Sequence, residues 1–116
     1  MLITIDQASA LPLFEQLAAA IREQVMSGEL AAGERLPAGR ELGASLDINV
    51  HTVLRAYQVL RAEGFIELRR GRGAVVAARA RDYAQLTKDI ERVVAEAKRL
   101  DLTPGALGAL IRKAFE

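Results

Sequence analysis

The stretch from Leu36 to Val76, LPAGRELGASLDINVHTVLRAYQVLRAEGFIELRRGRGAVV, leaves the chain few ways to fold. Proline, asparagine and glycine divide it into short pieces. Pro37 suits the start of a helix, where a missing amide donor costs nothing, and Glu41 in the first turn suits the positive end of the helix dipole. The spacing predicts a short helix from about Ala38 to Leu46. Asp47 and Ile48 leave room only for a turn. Asn49 is an effective N-cap, and Val53, Tyr57 and Leu60 recur on one face of a longer helix that runs to about Glu63. Gly64 stops it. Phe65-Ile66-Glu67-Leu68 alternates as a half-buried strand does. Arg70-Gly71-Arg72-Gly73 forms a hairpin tip and Ala74–Ala78 its return strand. Two helices joined by a tight turn and followed at once by a hairpin make a helix-turn-helix with a wing.

The flanks extend this plan. Residues Met1–Leu11 read as a short extended lead. Pro12 opens a helix whose Phe14, Leu17, Ile21 and Val25 share one face, and Gly28 ends it. Residues from Glu29 to Leu36 read as a loop. Beyond the hairpin, a long helix is expected from Arg81 to Leu100. Thr103 then caps a last helix with Pro104 at its first position and Leu107, Leu110, Ile111 and Phe115 on its apolar face. The expected fold class is mainly α with a small β-hairpin wing. It divides into a winged helix-turn-helix over 1–78 and a two-helix tail over 79–116.

The tail carries its own signal. Tyr83, Leu86, Ile90, Val93, Ala97 and Leu100 are spaced 3, 4, 3, 4, 3, which is a heptad-like seam. Charged residues fill the other faces. A seam of this length on so short a domain predicts self-association, with these six residues as the interface and the last helix packed across the partner.

Composition narrows the function classes. The 116 residues hold no cysteine, which excludes disulfides and thiolate metal sites. His51 is the only histidine, with no second ligand near it, so no metal and no cofactor are expected. No acid–base constellation converges in the sequence, and an enzyme is not expected. No run approaches a membrane span and the N-terminus does not resemble a signal peptide, so the expectation is a cytoplasmic protein. The net charge is only +1, yet Arg69 to Arg81 contains five arginines and no acid. That local basic stripe suits contact with phosphate at one face.

With one face of the second helix buried, the other presents Asn49, His51, Thr52 and Arg55 in its first two turns, where recognition helices meet base edges in double-stranded DNA. Asn pairs with adenine through both ends of its carboxamide, and Thr bonds bases or offers a methyl to thymine. Arg55 reaches either phosphate or guanine, and His51 suits a base or phosphate contact. Arg40, in the preceding helix, reads equally as a phosphate contact or as half of a surface ion pair. Arg70, Gly71 and Arg72 form a slender basic tip suited to the minor groove. A winged helix that binds protein rather than DNA is the alternative reading.

The ordered set Pro-Leu-Phe-Glu-Gln, Ser-Gly-Glu-Leu, Gly-Glu-Arg-Leu-Pro, Arg-Glu-Leu, Glu-Gly-Phe-Ile-Glu and Arg-Gly-Arg-Gly resembles the winged helix-turn-helix of the GntR family of bacterial transcription regulators, over residues 12–76. The short tail and Thr-Val-Leu-Arg-Ala-Tyr resemble its YtrA-like subfamily of short regulators. The resemblance implies sequence-specific operator binding as a homodimer, usually as a repressor on a palindromic site, and often a link to transporter operons. It carries DNA contact onto Arg40, onto Asn49, His51 and Thr52, and onto the tip Arg70, Gly71 and Arg72. There are departures. Ala38 stands where a capping Ser is frequent, Asp47 where a turn Gly is usual, and Val50 where many members have Arg or Pro. Leu54 stands where another subfamily has Arg, and Arg55 follows the YtrA-like pattern instead. A small-molecule effector has no recognisable site in the tail.

Overall fold

A computed structural model describes all residues from Met1 to Glu116. Its elements are α1 (Leu13–Ser27), α2 (Gly39–Leu46), α3 (Val50–Ala62), β1 (Ile66–Arg69), β2 (Gly73–Val76), α4 (Ala80–Arg99) and α5 (Pro104–Ala114). The chain divides into two units, Met1–Ala84 and Gln85–Glu116.

In the first unit, α3 is the central element and packs on both α1 and α2. Leu17, Ile21 and Val25 of α1, Leu42 of α2, and Val53, Ala56, Tyr57 and Leu60 of α3 join Ile66 and Val76 of the wing in one buried cluster. Each large apolar side chain in it stabilises the fold by about 1.5–3 kcal/mol. The helical period puts these residues on single faces, so burying them fixes which face of α3 stays outside.

Left-handed residues stop the helices. Asp47, at φ 55° and ψ 48°, ends α2, with the Ile48 amide donating to the Gly43 carbonyl at 2.9 Å. Gly64 ends α3 in the same way, with the Phe65 amide donating to the Leu60 carbonyl at 2.9 Å. These are Schellman stops, which satisfy carbonyls that a helix end would leave unpaired. Asp tolerates this backbone because its short polar side chain interacts locally.

The wing pairs β1 with β2 antiparallel, with Ile66 opposite Val76 and Arg69 opposite Gly73. A further segment covers the other edge of β2. Leu36 donates to the Ala74 carbonyl and Val76 to the Glu34 carbonyl, both at 2.8 Å, with an isolated bridge between Arg35 and Val75. The loop expected up to Leu36 therefore ends in a single bridge to β2. The N-terminal lead is also tied down. The Gln16 carboxamide donates to the carbonyls of Asp6 and Leu11 and accepts from the Asp6 amide, while Gln24 donates to the Leu2 carbonyl at 2.6 Å.

In the second unit, α4 ends in another Schellman stop. Asp101 is left-handed at φ 58°, and Leu102 donates to the Ala97 carbonyl at 2.9 Å. The Thr103 hydroxyl accepts from the Ala106 amide and caps α5, with Pro104 at its start. No helix is long and apolar enough to cross a membrane.

Candidate nucleic-acid interface

The start of α3 is positioned from below and from both sides. Below, Val53, Ala56 and Leu60 have no exposed surface. On one side, Gly43 brings α2 close: a Cβ there would stand 2.9 Å from the Ile48 carbonyl oxygen. The Tyr57 hydroxyl donates to the Pro37 carbonyl at 2.7 Å and so ties α3 to the segment that launches α2. Burial, with the nearby Glu41 carboxylate adding to it, pushes the Tyr57 phenol up to about 12, so it stays a neutral donor.

Four of the expected contact residues come together here. Asn49, His51, Thr52 and Arg55 line a concavity of about 390 Å³ with Leu13 and Phe14 from the start of α1. His51 and Arg55 are exposed and Thr52 is half-buried. Asn49 has a second duty, because its Oδ1 accepts the His51 amide at 2.8 Å and caps α3. Its carboxamide nitrogen stays free, while the oxygen that adenine pairing would use is already engaged. Arg55 lays its guanidinium over the Phe14 ring, with the central carbon 3.8 Å from the ring centroid.

Arg40 is exposed in the first turn of α2 and forms no ion pair, so the surface-pair alternative is not realised. Ala38 precedes that helix without a side-chain cap. Val50 is half-buried, and Leu54 rests against Gly39, where an added Cβ would stand 2.9 Å from its Cδ2. Neither departure leaves a cationic side chain at its position.

The wing tip turns through Arg69–Arg72, with the Arg72 amide donating to the Arg69 carbonyl at 3.0 Å. Gly71 at φ 79° and Gly73 at φ 73° supply the left-handed backbone this turn requires. Arg70 and Arg72 are exposed and in no ion pair. The stripe of five arginines is less uniform than the sequence suggests. Arg69 folds back on Glu67 at 2.9 Å, and Arg79 lies over the Tyr83 ring. No three His, Asp or Glu side chains converge on a point that could hold a metal ion.

Residues 13–76 match the model of the bacterial regulatory proteins of the gntR family. The chain belongs to that family. Residues 13–76 thus form a winged helix-turn-helix of a DNA-binding regulatory kind and not a catalytic unit. Among its relatives is the HTH-type transcriptional repressor YtrA of Bacillus subtilis, 38% identical over 80 residues, which are 69% of this chain and 62% of that protein. The probable rhizopine catabolism regulatory protein MocR of Rhizobium meliloti is 34% identical over 76 residues, 66% of this chain and 15% of its own. Among solved structures, YtrA from Sulfolobus acidocaldarius, a GntR-family transcription factor, superposes with a TM-score of 0.64 at 31% identity, covering 97% of this chain and 96% of that one. These similarities support a YtrA-like GntR regulator.

Proposed function

We propose that this YtrA-like regulator is a sequence-specific repressor that binds a palindromic operator as a homodimer, with residues 1–78 as the DNA reader and 79–116 as the dimerisation tail. One observation carries the DNA reading. The buried face of α3 turns Asn49, His51, Thr52 and Arg55 outward together, and Arg40 on α2 and the Arg70-Gly71-Arg72 tip leave their cations unpaired. Asn49, His51 and Thr52 are the base readers. Arg40, Arg55, Arg70 and Arg72 hold backbone, with Gly71 shaping the tip. The Bacillus relative is named a repressor, and the likeness to its subfamily makes a transporter operon the expected target. With DNA as the ligand, the site of action is the cytoplasm.

The dimer rests on the tail. Leu86, Ile90 and Val93 of α4, and Leu100 just beyond its end, are each about half exposed although apolar. Two seam residues are already engaged within the chain. Tyr83 stacks on Phe65 with ring centroids 5.3 Å apart, and Ala97 is 6% exposed. The proposed seam therefore works mainly through the other four.

Selection of duplexes from a random pool tests the reading. Two inverted half-sites about one helical turn apart, or a multiple of it, are expected. Arg55→Ala and Arg72→Ala should each lower the slope of log affinity against log salt by about 0.9. A pool that enriches no sequence removes the proposal.

A further inference from the structure

We infer that Phe14 is a positioning residue for DNA binding: its ring is the platform that holds the Arg55 guanidinium, edge outward, for one backbone phosphate beside the start of α3. The inference rests on the DNA reading above and adds a residue to it.

Three contacts in the chain put an arginine over an aromatic ring. Those of Arg22 and Arg79 stand at 5.8 Å, whereas Arg55 stands at 3.8 Å, in van der Waals contact with the Phe14 ring. Phe14 packs against the core cluster yet stays partly exposed, so its ring is held from behind while offering surface to Arg55. Arg55 is exposed and joins none of the four ion pairs. A guanidinium stacked by its face keeps its N–H donors at the rim, in the fork geometry that matches a phosphate.

The stack also favours phosphate among the two targets open to Arg55. It holds the side chain against the start of α1, at the edge of the concavity that Asn49, His51 and Thr52 also line. An arginine held at the flank of a recognition helix meets the wall of the groove, which is phosphate, rather than its floor. The surroundings agree. The concavity that holds the pair is also lined by Leu13, Asn49, His51 and Thr52, and the amides of Leu13 and Phe14 precede the first hydrogen bonds of α1. Without the ring, Arg55 would have to be ordered at the moment of binding.

The test uses the full chain, a fluorescent duplex carrying the selected operator, and a salt series. Phe14→Leu should weaken binding about 3- to 10-fold, the range expected when one rotamer-rich side chain must be immobilised on binding. Phe14→Tyr, which keeps an aromatic face, should restore wild-type affinity. In an Arg55→Ala background, Phe14→Leu should change affinity by less than about twofold, because the group that the ring positions is gone. Equal losses in both backgrounds would mean that Phe14 acts through the fold alone, and the inference falls. It falls also if Phe14→Leu binds as wild type, or if Arg55→Ala alters base preference without changing the salt slope. If the wild-type chain shows no salt-sensitive binding while melting cooperatively, the DNA reading fails and takes this inference with it. Loss of the Phe14 effect alone, with Arg72→Ala still weakening binding, overturns only the inference.

Discussion

At the scale of single residues, Tyr57 shows how one side chain serves core and site together. Its ring fills the space between α3 and α2, and its hydroxyl donates to the Pro37 carbonyl at 2.7 Å, which fixes where α2 and Arg40 begin. Tyr57→Phe should cost about 1 kcal/mol, the usual net worth of one such bond, and should loosen DNA binding through Arg40. The pH dependence follows from the raised phenol. Its folded value is about 12 against an ordinary 10.0, so its stabilising effect is complete below pH 10 and is lost as the pH rises toward 12. Over that window stability should fall by at most about 1.4 kcal/mol per pH unit from this group. Urea unfolding at pH 9 and pH 11 measures it, and Tyr57→Phe should show a shallower decline; an identical decline in both would refute the assignment. The sequence marked Tyr57 as a core residue from its spacing. It did not mark the bond to Pro37, because the acceptor is a backbone carbonyl 20 residues away. Asn49 is a similar case: its cap was legible from the residue type, and the competition between capping and base reading was not.

At the scale of elements, the angle between α2 and α3 depends on two glycines that meet the same distance and should answer differently. A Cβ on Gly39 would stand 2.9 Å from Cδ2 of Leu54, the free end of a flexible side chain on the surface. A Cβ on Gly43 would stand 2.9 Å from the Ile48 carbonyl oxygen, which is backbone held by the turn itself. Alanine in place of glycine favours a helix interior by about 1 kcal/mol. Overpacking costs about 1–3 kcal/mol where the neighbour cannot move. Gly39→Ala should therefore be near neutral. Gly43→Ala should lose up to about 2 kcal/mol, the part of that overpacking cost left after the helical gain, and should weaken DNA binding by tilting α3. Thermal melts of both variants decide it, and a Gly43→Ala protein as stable as Gly39→Ala would contradict the close approach. Helices, turn and wing were legible because apolar periodicity and left-handed stops are written in side chains: Asp47 in place of glycine still ends α2. The bridge to β2 was not legible, since it uses the backbone of Glu34 and Leu36 and leaves no alternation to read. Nor was the role of Phe14. Its place in the periodic face of α1 marked it as core, and nothing local points to an arginine 41 positions later.

For the whole molecule, affinity should depend on α4 although α4 carries none of the proposed DNA contacts. The winged unit holds its core within Met1–Ala84, so the part of the tail beyond Ala84 adds nothing to that core. One such unit reads a single half-site. Joining two makes the second contact intramolecular, and linkage of this kind raises overall binding by about 10²- to 10⁴-fold where the geometry allows both sites to engage. The proposed seam is apolar and half exposed at Leu86, Ile90, Val93 and Leu100, while polar residues of α4 pair among themselves, Arg92 with Asp89 and Arg99 with Glu96. These pairs are exposed and contribute little, so the apolar face must supply the drive to associate. The double change Leu86→Asp, Ile90→Asp puts two carboxylates where two copies would meet. Sedimentation at micromolar concentration should show a dimer for the wild type and a monomer for the variant. Circular dichroism should retain the helices, and operator affinity should fall by about 100-fold or more while binding to an isolated half-site stays unchanged. That last measurement separates avidity from misfolding, because a damaged winged unit would lose the half-site as well. A wild-type chain that sediments as a monomer and still binds the full operator tightly would end the dimer proposal and leave the contacts of α3 to account for the affinity alone.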